Sequence, residues 1–375
     1  MKSLTLLRLL LVPFVLSVPS PVSLAAAAAD QIDLFTSGTD GYHTYRIPSI
    51  IRAKNGALLA FCEGRKKSAG DAGDIDLLLK RSTDGGRTWS PQQILWDDAD
   101  NTCGNPCPVL DESTGTLWLL LTHNLGRDQE KDIVARTVRG SRTVWLAHSK
   151  DHGVTWTKPV EITSSTKRPE WTWYATGPGI GIQIQHGPHA GRLIIPCDYN
   201  EAAADPKNAP KGSHVIFSDD HGKSWQLGGT ITPGMNECQV AELFDGRGTL
   251  LMDMRSYLGR SVRAQSRSTD GGATWSASDD APTFVEPICQ ASLLRHDAAK
   301  FLLFSNPADP KQRVNLTVRA SSDDAKTWRE VAVLHAGPSA YSSLVALSET
   351  EAGCLYERGE KRAYEKITFA RFSVR

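Results

Sequence analysis

Apolar positions along this chain fall in short runs that alternate with polar, glycine-rich segments. Residues 77–81 read LLLKR, residues 143–148 read TVWLAH and residues 214–217 read HVIF, and similar runs occupy 116–121 and 302–304. Short runs rich in branched and aromatic side chains are typical of β-strands. No long stretch repeats its apolar residues every three or four positions, as an amphipathic helix would. The pattern therefore predicts an all-β protein.

A polar octapeptide recurs five times between these runs. The copies are STDGGRTW from residue 82, SKDHGVTW from 149, SDDHGKSW from 218, STDGGATW from 268 and SSDDAKTW from 321. Ser and Asp side chains in such a turn bond nearby backbone amides, and glycine permits a positive φ. The closing Trp buries a large ring whose N–H still needs a partner. Each copy is predicted to be a hairpin turn that stabilises its sheet.

Short strands with a turn recurring at this spacing predict a β-propeller. Removing 29 of the 375 residues as a leader leaves 346, or about 58 for each of six blades, against ~40–50 in the common blade repeats. The prediction is a six-bladed β-propeller over residues 30–375. A β-sandwich is the alternative, but it offers no reason for a repeated Trp turn.

The first 29 residues have the order of a secretory signal peptide. Lys2 and Arg8 precede an apolar run at 9–16, and an alanine tract at 25–29 ends before Asp30. The run is too short for a membrane span and is broken by Pro13, Pro19 and Pro21, which favours cleavage over a membrane anchor. No later segment is long and apolar enough to span a bilayer. We expect a secreted or periplasmic protein with no membrane span.

The composition excludes several classes of partner. The chain has 42 basic and 42 acidic residues, which gives no reason to expect nucleic acid or an anionic membrane. The histidines and cysteines lack the spacing of metal ligands, and no glycine-rich phosphate loop occurs, so neither a metal nor another cofactor is predicted. Cys103 and Cys107 are near enough for a local disulfide, but mostly buried free thiols are the preferred interpretation.

The octapeptide resembles the Asp box of the sialidase (neuraminidase) superfamily, whose fold is a six-bladed propeller. Six other segments resemble motifs of that family in the family's order: YRIPSI at 45–50, FCEGR at 61–65, 105–118, 175–196, NECQVAE at 236–242 and CLYERG at 354–359. The resemblance covers nearly the whole chain after the leader. Asp boxes also occur in non-catalytic propellers, so their Asp residues are expected to be structural.

The resemblance implies three arginines that bind the carboxylate of sialic acid. Such a carboxylate calls for fixed positive charge in a forked, planar geometry, which arginine supplies and lysine does not. By motif, Arg46 is the first, Arg255 the second and Arg313 the third. Arg260 and Arg263 compete with Arg255 for the second place.

The resemblance assigns Tyr341, in GPSAYSSL, as the nucleophile and Glu237, in NECQ, as its base. The anomeric carbon of sialic acid already bears a negative group, so a neutral nucleophile avoids charge repulsion there. A phenol with a pKa of about 10 is weak at neutral pH and needs an adjacent base. Glu242 is the competing carboxylate.

The leaving group needs an acid that later acts as a base. The family supplies an Asp on a loop before the first Asp box, and the segment KKSAGDAGDIDLLLKRS offers three. Counting back from the box favours Asp71, and Asp74 stays open as an alternative. Asp76, at the start of the strand, is expected to be structural.

Four further residues match positions around the family's sugar-binding site. The resemblance implies that Arg65 assists carboxylate or hydroxyl binding and that Glu63 orients an arginine. Asn105 is expected beside the acyl-amino group, and Tyr174 beside the glycerol side chain.

Together these residues predict an exo-α-sialidase that hydrolyses terminal α-linked sialic acid with retention of configuration. Its partners would be glycoproteins, glycolipids or oligosaccharides that carry sialic acid. One alternative is a non-catalytic sialoglycan-binding propeller. The other is a trans-sialidase, which keeps the same catalytic residues and differs in the acceptor that it binds.

Overall fold

The computed structural model describes residues 30–375, so the predicted signal peptide lies outside the described residues. Within this described range, helix is confined to α1 (Glu130–Val134), α2 (Thr163–Thr166) and a single 3-10 turn (Pro206–Asn208). No helix between residues 30 and 375 has the length and apolar character needed to cross a bilayer. The predicted all-β class is confirmed.

The strands after β1 (Asp30–Thr36) pair into groups of four antiparallel neighbours. The first group contains β2 (Thr44–Arg52), β3 (Leu58–Arg65), β4 (Ile75–Ser82) and β5 (Gln93–Trp96). The second contains β6 (Thr102–Leu110), β7 (Leu117–Asn124), β8 (Thr143–Ser149) and β9 (Val160–Glu161). In the third, β10 (Trp171–Thr176) and the short β11 (Ile182–Gln183) pair with β12 (Leu193–Glu201), followed by β13 (Lys211–Ser218) and β14 (Gln226–Ile231).

Three more groups follow in the same order. The fourth contains β15 (Met235–Glu242), β16 (Leu250–Ser256), β17 (Val262–Ser268) and β18 (Asp279–Val285). The fifth contains β19 (Ser292–His296), β20 (Phe301–Pro307), β21 (Val314–Ser321) and the first half of β22 (Arg329–Ala346). The sixth contains the second half of β22, β23 (Glu351–Arg358), β24 (Lys366–Ser373) and β1 from the other end of the described chain.

Buried apolar clusters connect each group to the next. One cluster contains Phe61 of the first group and Leu119 of the second. Another contains Leu78 of the first group and Phe369 of the sixth. The first strands β2, β6, β10 and β15 are almost entirely buried, and every residue of β6 is buried. The core is therefore divided into layers between groups, and each layer depends on two groups.

The five Asp boxes occupy one equivalent position in five groups. Each begins at the last residue of a group's third strand and leads into the fourth strand; the first residues are Ser82, Ser149, Ser218, Ser268 and Ser321. In the sixth group the third and fourth strands are β24 and β1, which are not consecutive in the chain. This topology explains why six groups carry five boxes.

The first box shows how the turn is stabilised. The carboxylate of Asp84 accepts hydrogen bonds from the backbone N–H of Thr88 at 2.9 Å and from its hydroxyl at 2.6 Å. The indole N–H of Trp89 donates to the carbonyl of Gly86 at 3.1 Å. The Trp89 ring packs edge-on against Phe369 of the sixth group, with 5.2 Å between ring centroids. The box therefore stabilises its own turn and also contacts the neighbouring group.

The seven cysteines are all buried and all free. This confirms the preferred interpretation of buried thiols. The alternative of a Cys103–Cys107 disulfide is wrong: both side chains are enclosed within β6, where they add to the apolar core.

We expect Asp84→Ala to lower the thermal unfolding midpoint by several degrees. The change removes at once the acceptor of a backbone amide and of a hydroxyl within the turn. Scanning calorimetry of the purified protein measures the midpoint. Lys223→Ala, at an exposed position of the third box, is the matched control and should leave it unchanged. A midpoint for Asp84→Ala equal to that of the unmodified protein would contradict the structural role of the boxes.

Candidate active site

A polar cavity of about 340 Å³ lies near the starts of the first strands of several groups. Nine of the ten residues predicted for the site line it: Arg46, Glu63, Arg65, Asp71, Asn105, Glu237, Arg255, Arg313 and Tyr341. These residues come from sequence positions up to 295 residues apart, between Arg46 and Tyr341. The tertiary structure therefore assembles almost all of the predicted site in one place.

β-Bulges direct several of these side chains. In four first strands, two residues oppose one residue on the neighbouring strand; the paired residues are Ile47–Pro48, Asn105–Pro106, Asn236–Glu237 and Ala340–Tyr341. A bulge of this kind breaks the alternation of the strand and re-aims a side chain. Ile47 and Asn105 also have positive φ values of 61° and 51°. The same local irregularity thus supplies cavity residues from four different groups.

A single buried carboxylate, Glu357 of β23, holds two of these bulges together. Its Oε1 accepts from Arg46 Nε at 2.7 Å and from the backbone N–H of Ile47 at 2.9 Å. Its Oε2 accepts from the backbone N–H of Tyr341 at 3.1 Å. Glu357 is fully buried. Glu357 lies in the segment CLYERG, whose sequence pattern predicted no role for this residue.

Tyr341 and Glu237 form the closest pair in the cavity. The Tyr341 hydroxyl donates to Glu237 Oε1 at 2.5 Å, and Arg255 donates to Glu237 Oε2 at 2.7 Å. Burial and the charge of Glu237 raise the pKa of Tyr341 well above its ordinary value, despite the nearby arginines. Tyr341 is therefore a neutral phenol in the free protein, with a base positioned to take its proton.

Three arginines surround Tyr341. Arg255 lies 3.2 Å from the Tyr341 hydroxyl, and the guanidinium carbons of Arg46 and Arg313 lie 4.9 Å and 5.7 Å from its ring centroid. Arg313 also donates to the Tyr364 hydroxyl at 2.6 Å. Converging guanidinium groups of this kind are suited to a carboxylate ligand.

Asp71 lies beside this cluster and is open to solvent. Its side chain is 60% exposed, and its Oδ1 lies 2.8 Å from Arg65 and 4.0 Å from Arg46. The surrounding cavity wall partly desolvates Asp71, which acts to raise its pKa, but the charges of Arg65 and Arg46 outweigh this and hold the pKa below its usual value. Arg65 also donates to Glu63 Oε2 at 2.7 Å. Asp71 is thus a carboxylate in the free protein, and its exposed side chain is accessible to a ligand that enters the cavity.

The competing candidates do not line the cavity. Arg260 is exposed and pairs with an acid of its own group, and Arg263 is fully buried between two acids. Glu242 binds a backbone N–H and a histidine outside the cavity. Asp74 and Asp76 contact a lysine, Lys66, rather than the cavity. Among the alternatives considered for each role, only Arg255, Glu237 and Asp71 line the cavity.

The expectation that Tyr174 contacts the sugar is wrong for this structure. Tyr174 is fully buried in the core between the second and third groups, where its ring packs against Trp171 and His214. Its neighbour Trp173 lines the cavity instead. Successive side chains of a strand point to opposite faces, so an error of one position moves a residue from the cavity to the core.

Several other cavity residues were not predicted from the sequence, and two of them, Arg142 and Asp198, are buried and charged or ionisable. Arg142 lies just before β8, and Asp198 lies within β12. Asp198 is almost fully buried, and its Oδ2 accepts from Asn236 at 2.6 Å. Burial, with the charge of Glu237, raises the pKa of Asp198 well above its ordinary value. No local sequence pattern predicts that either residue lines the cavity, because its neighbours there come from other groups of strands.

A metal site does not emerge from the geometry. Among residues 30–375, no group of three His, Cys, Asp or Glu side chains is arranged to hold a metal ion. The ionisable groups that line the cavity include arginines, carboxylates and phenols.

Comparison with known proteins identifies the family. The model of the BNR repeat-like domain matches residues 56–354. A sialidase of Micromonospora viridifaciens is 33% identical over 357 residues, which cover 90% of this chain and 53% of that protein. Sialidase-2 of Mus musculus is 31% identical over 364 residues, which cover 89% of this chain and 93% of that protein. The chain belongs to the sialidase (BNR-repeat) superfamily.

Solved structures agree with this membership of the sialidase superfamily. The Hadza microbial sialidase Hz136 superposes with a TM-score of 0.81 at 30% identity, covering 92% of this chain and 68% of that one. Trypanosoma rangeli sialidase gives a TM-score of 0.73 at 20% identity, covering 92% and 60%, and supports the fold. Sialidases of this kind are β-propellers. The chain spans only 53% of the Micromonospora viridifaciens protein and 61% of a Bacteroides fragilis sialidase.

We expect Glu357→Gln to lower the free energy of unfolding by about 3 kcal/mol or more, because it leaves Arg46 as a buried charge without its partner. Denaturant titration measures the change. Glu351→Gln on the same strand is the matched control: Glu351 pairs with Arg371 but is 42% exposed, and its loss should stay below about 1 kcal/mol. Equal losses for the two variants would contradict a special role for Glu357.

Proposed function

We propose that this protein is an exo-α-sialidase that hydrolyses terminal α-linked sialic acid from glycoproteins, glycolipids or oligosaccharides. One observation carries the proposal: the Tyr341 hydroxyl lies 2.5 Å from Glu237 inside a ring of three arginines. A phenol paired with a base suits attack on a carbon that bears a carboxylate, and the guanidinium groups suit that carboxylate. The sialidase relatives at about 30% identity support the same activity.

In the first step, the Tyr341 oxygen attacks the anomeric carbon, and Glu237 takes the phenolic proton. The bond to the aglycone oxygen breaks, and Asp71 gives that oxygen a proton. In the second step, Asp71 takes a proton from water, which attacks the anomeric carbon. Tyr341 then leaves and recovers its proton from Glu237. Two displacements at one carbon retain its configuration.

This role requires that substrate binding raise the pKa of Asp71. In the free protein, Arg65 and Arg46 hold the pKa of Asp71 below its usual value. A bound sialic acid would bring a carboxylate to Arg46 and displace water from around Asp71. Both changes favour the protonated acid, because a second negative charge and desolvation each raise a carboxyl pKa. The substrate would thus prepare its own general acid.

We propose that the six groups of strands close into a six-bladed β-propeller. The pairing of β1 with β24 joins the two ends of the described chain in one group. The cluster that contains Leu78 and Phe369 joins the sixth group to the first. Propeller relatives in the same superfamily support this arrangement.

We also propose that the protein is exported to the periplasm or the medium, with removal of a leader of about 29 residues. The order of basic, apolar and small residues before Asp30 motivates this. N-terminal sequencing of the protein from the periplasm or medium should give a start near Asp30. Recovery of exported protein that retains Met1 would contradict cleavage.

We expect Tyr341→Phe to abolish most turnover while the protein still binds sialic acid. The variant keeps the ring that Arg46 and Arg313 contact but lacks the attacking oxygen. The measurement is kcat and KM on an aryl sialoside. Glu237→Gln should behave in the same way, and the double variant should be little worse than either single variant, because nucleophile and base act as a unit.

Tyr199→Phe is the matched control, because Tyr199 lies in the core of the third group and does not line the cavity. It should keep the kcat of the unmodified protein. Turnover of Tyr341→Phe near that of the unmodified protein would contradict the mechanism. Binding of sialosides without any hydrolysis by the unmodified protein would favour a non-catalytic propeller, and transfer to a sugar acceptor would favour a trans-sialidase.

A further inference from the structure

Arg142 differs from the other arginines of the cavity because its side chain has no hydrogen-bond partner among residues 30–375. The guanidinium groups of Arg46, Arg65, Arg255 and Arg313 each donate a hydrogen bond to a protein side chain. Arg142 lines the same cavity and is only 3% exposed. Its Nε is enclosed without a hydrogen-bond partner, and its guanidinium donates to no residue between 30 and 375.

A buried guanidinium without a hydrogen-bond partner is costly. Removing its donors from water without replacing those bonds destabilises the folded state, more so for a charged group than for a neutral one. Glu63, the acid with the largest influence on Arg142, already accepts hydrogen bonds from Arg65 and from the backbone of Asn105. Arg142 is therefore not needed to satisfy the hydrogen bonds of that carboxylate.

The surrounding structure holds Arg142 in place all the same. Its guanidinium carbon lies 4.1 Å from the ring centroid of Trp173, which also lines the cavity. Such stacking occupies the face of the guanidinium and leaves the N–H groups at its edge available. The buried ammonium of Lys167 donates to the carbonyl of Arg142 at 2.5 Å and to that of Thr172 at 3.0 Å. One lysine thus fixes the backbone of Arg142 and of the residue before Trp173.

Arg142 and Trp173 form a wall separate from the carboxylate-binding arginines. Arg46, Arg255 and Arg313 all surround Tyr341, whereas Arg142 comes from the second group and lies against Trp173 of the third. A sugar whose carboxylate contacts the three arginines would present other substituents to this wall.

We propose that Arg142 is a further substrate-binding residue, which donates hydrogen bonds to an acceptor oxygen on a substituent of the sugar remote from its carboxylate. The acceptor is a hydroxyl or carbonyl oxygen, since a guanidinium only donates. Trp173 provides the surface that holds the guanidinium, and Lys167 is a positioning residue. This inference rests on the proposed sialidase function and adds a binding contact to it.

The test is Arg142→Met, which removes the charge and the donors but keeps an unbranched chain that can lie on Trp173. We expect KM on an aryl sialoside and Kd for free sialic acid, measured by calorimetry, each to rise about tenfold or more. The thermal midpoint should not fall, because no protein hydrogen bond is lost. The effect on binding should exceed that on kcat, since the contact is present in the bound state.

Arg168→Met is the matched control. Arg168 also lies over a tryptophan, with its guanidinium carbon 5.2 Å from the Trp171 ring, but it is exposed and does not line the cavity. KM and Kd should be unchanged in this variant. Arg142→Lys keeps the charge without the fork and should remain impaired in KM. Full recovery of KM in that variant would assign Arg142 to charge balance and overturn the proposal.

Folded Arg142→Met with the KM and Kd of the unmodified protein would also overturn the proposal, while leaving the sialidase function intact. A lower thermal midpoint with unchanged KM would assign Arg142 a structural role instead. Failure of the unmodified protein to bind or hydrolyse any sialoside is a different result, because it would remove the proposed function itself. If Arg142→Met does not fold, Arg142→Lys and its KM decide the question.

Discussion

The site depends on a β-bulge that recurs near the start of the first strand in four groups. A regular strand would send alternate side chains into the two apolar layers that flank its group. At each bulge, two residues of the first strand lie opposite one residue of the neighbouring strand. This breaks the alternation of side chains, so that a side chain points into the cavity. The residue opposite the Asn236–Glu237 bulge is Arg255, and the one opposite Ala340–Tyr341 is Glu357. These two bulges therefore each lie opposite a charged residue that hydrogen-bonds to them.

Hydrogen bonds to buried charged side chains hold these irregular segments in position. Glu357 accepts from the side chain of Arg46 and from the backbone of both Ile47 and Tyr341, so that it joins the first and sixth groups at the cavity. A positive φ at a branched residue such as Ile47 is unfavourable on its own. The hydrogen bond from its N–H to Glu357 compensates for part of that strain. The contacts of Glu357 thus both position the bulged residues and balance the charge of Arg46.

The Asp boxes lie at the ends of the third strands, away from the bulges near the starts of the first strands, and their role is structural. Their carboxylates are used within the turn, and their tryptophans reach neighbouring groups, as Trp89 does with Phe369 and Trp156 with Phe61. The turns therefore contribute to stability away from the cavity, whereas the bulges carry cavity residues. A damaged box should therefore weaken the fold before it alters the cavity.

The sequence by itself determined the all-β class and the five turns, because these depend on local patterns. Of the ten residues predicted for the site, nine line the cavity, because the motifs that contain them are intact in the chain. Only the tertiary structure decided that Trp173 rather than Tyr174 faces the cavity, and that Glu357 and Arg142 belong to the site. The side on which a strand residue emerges depends on bulges and register. Contacts such as Arg46 with Glu357 join positions 311 residues apart, and no local pattern records which distant groups will meet.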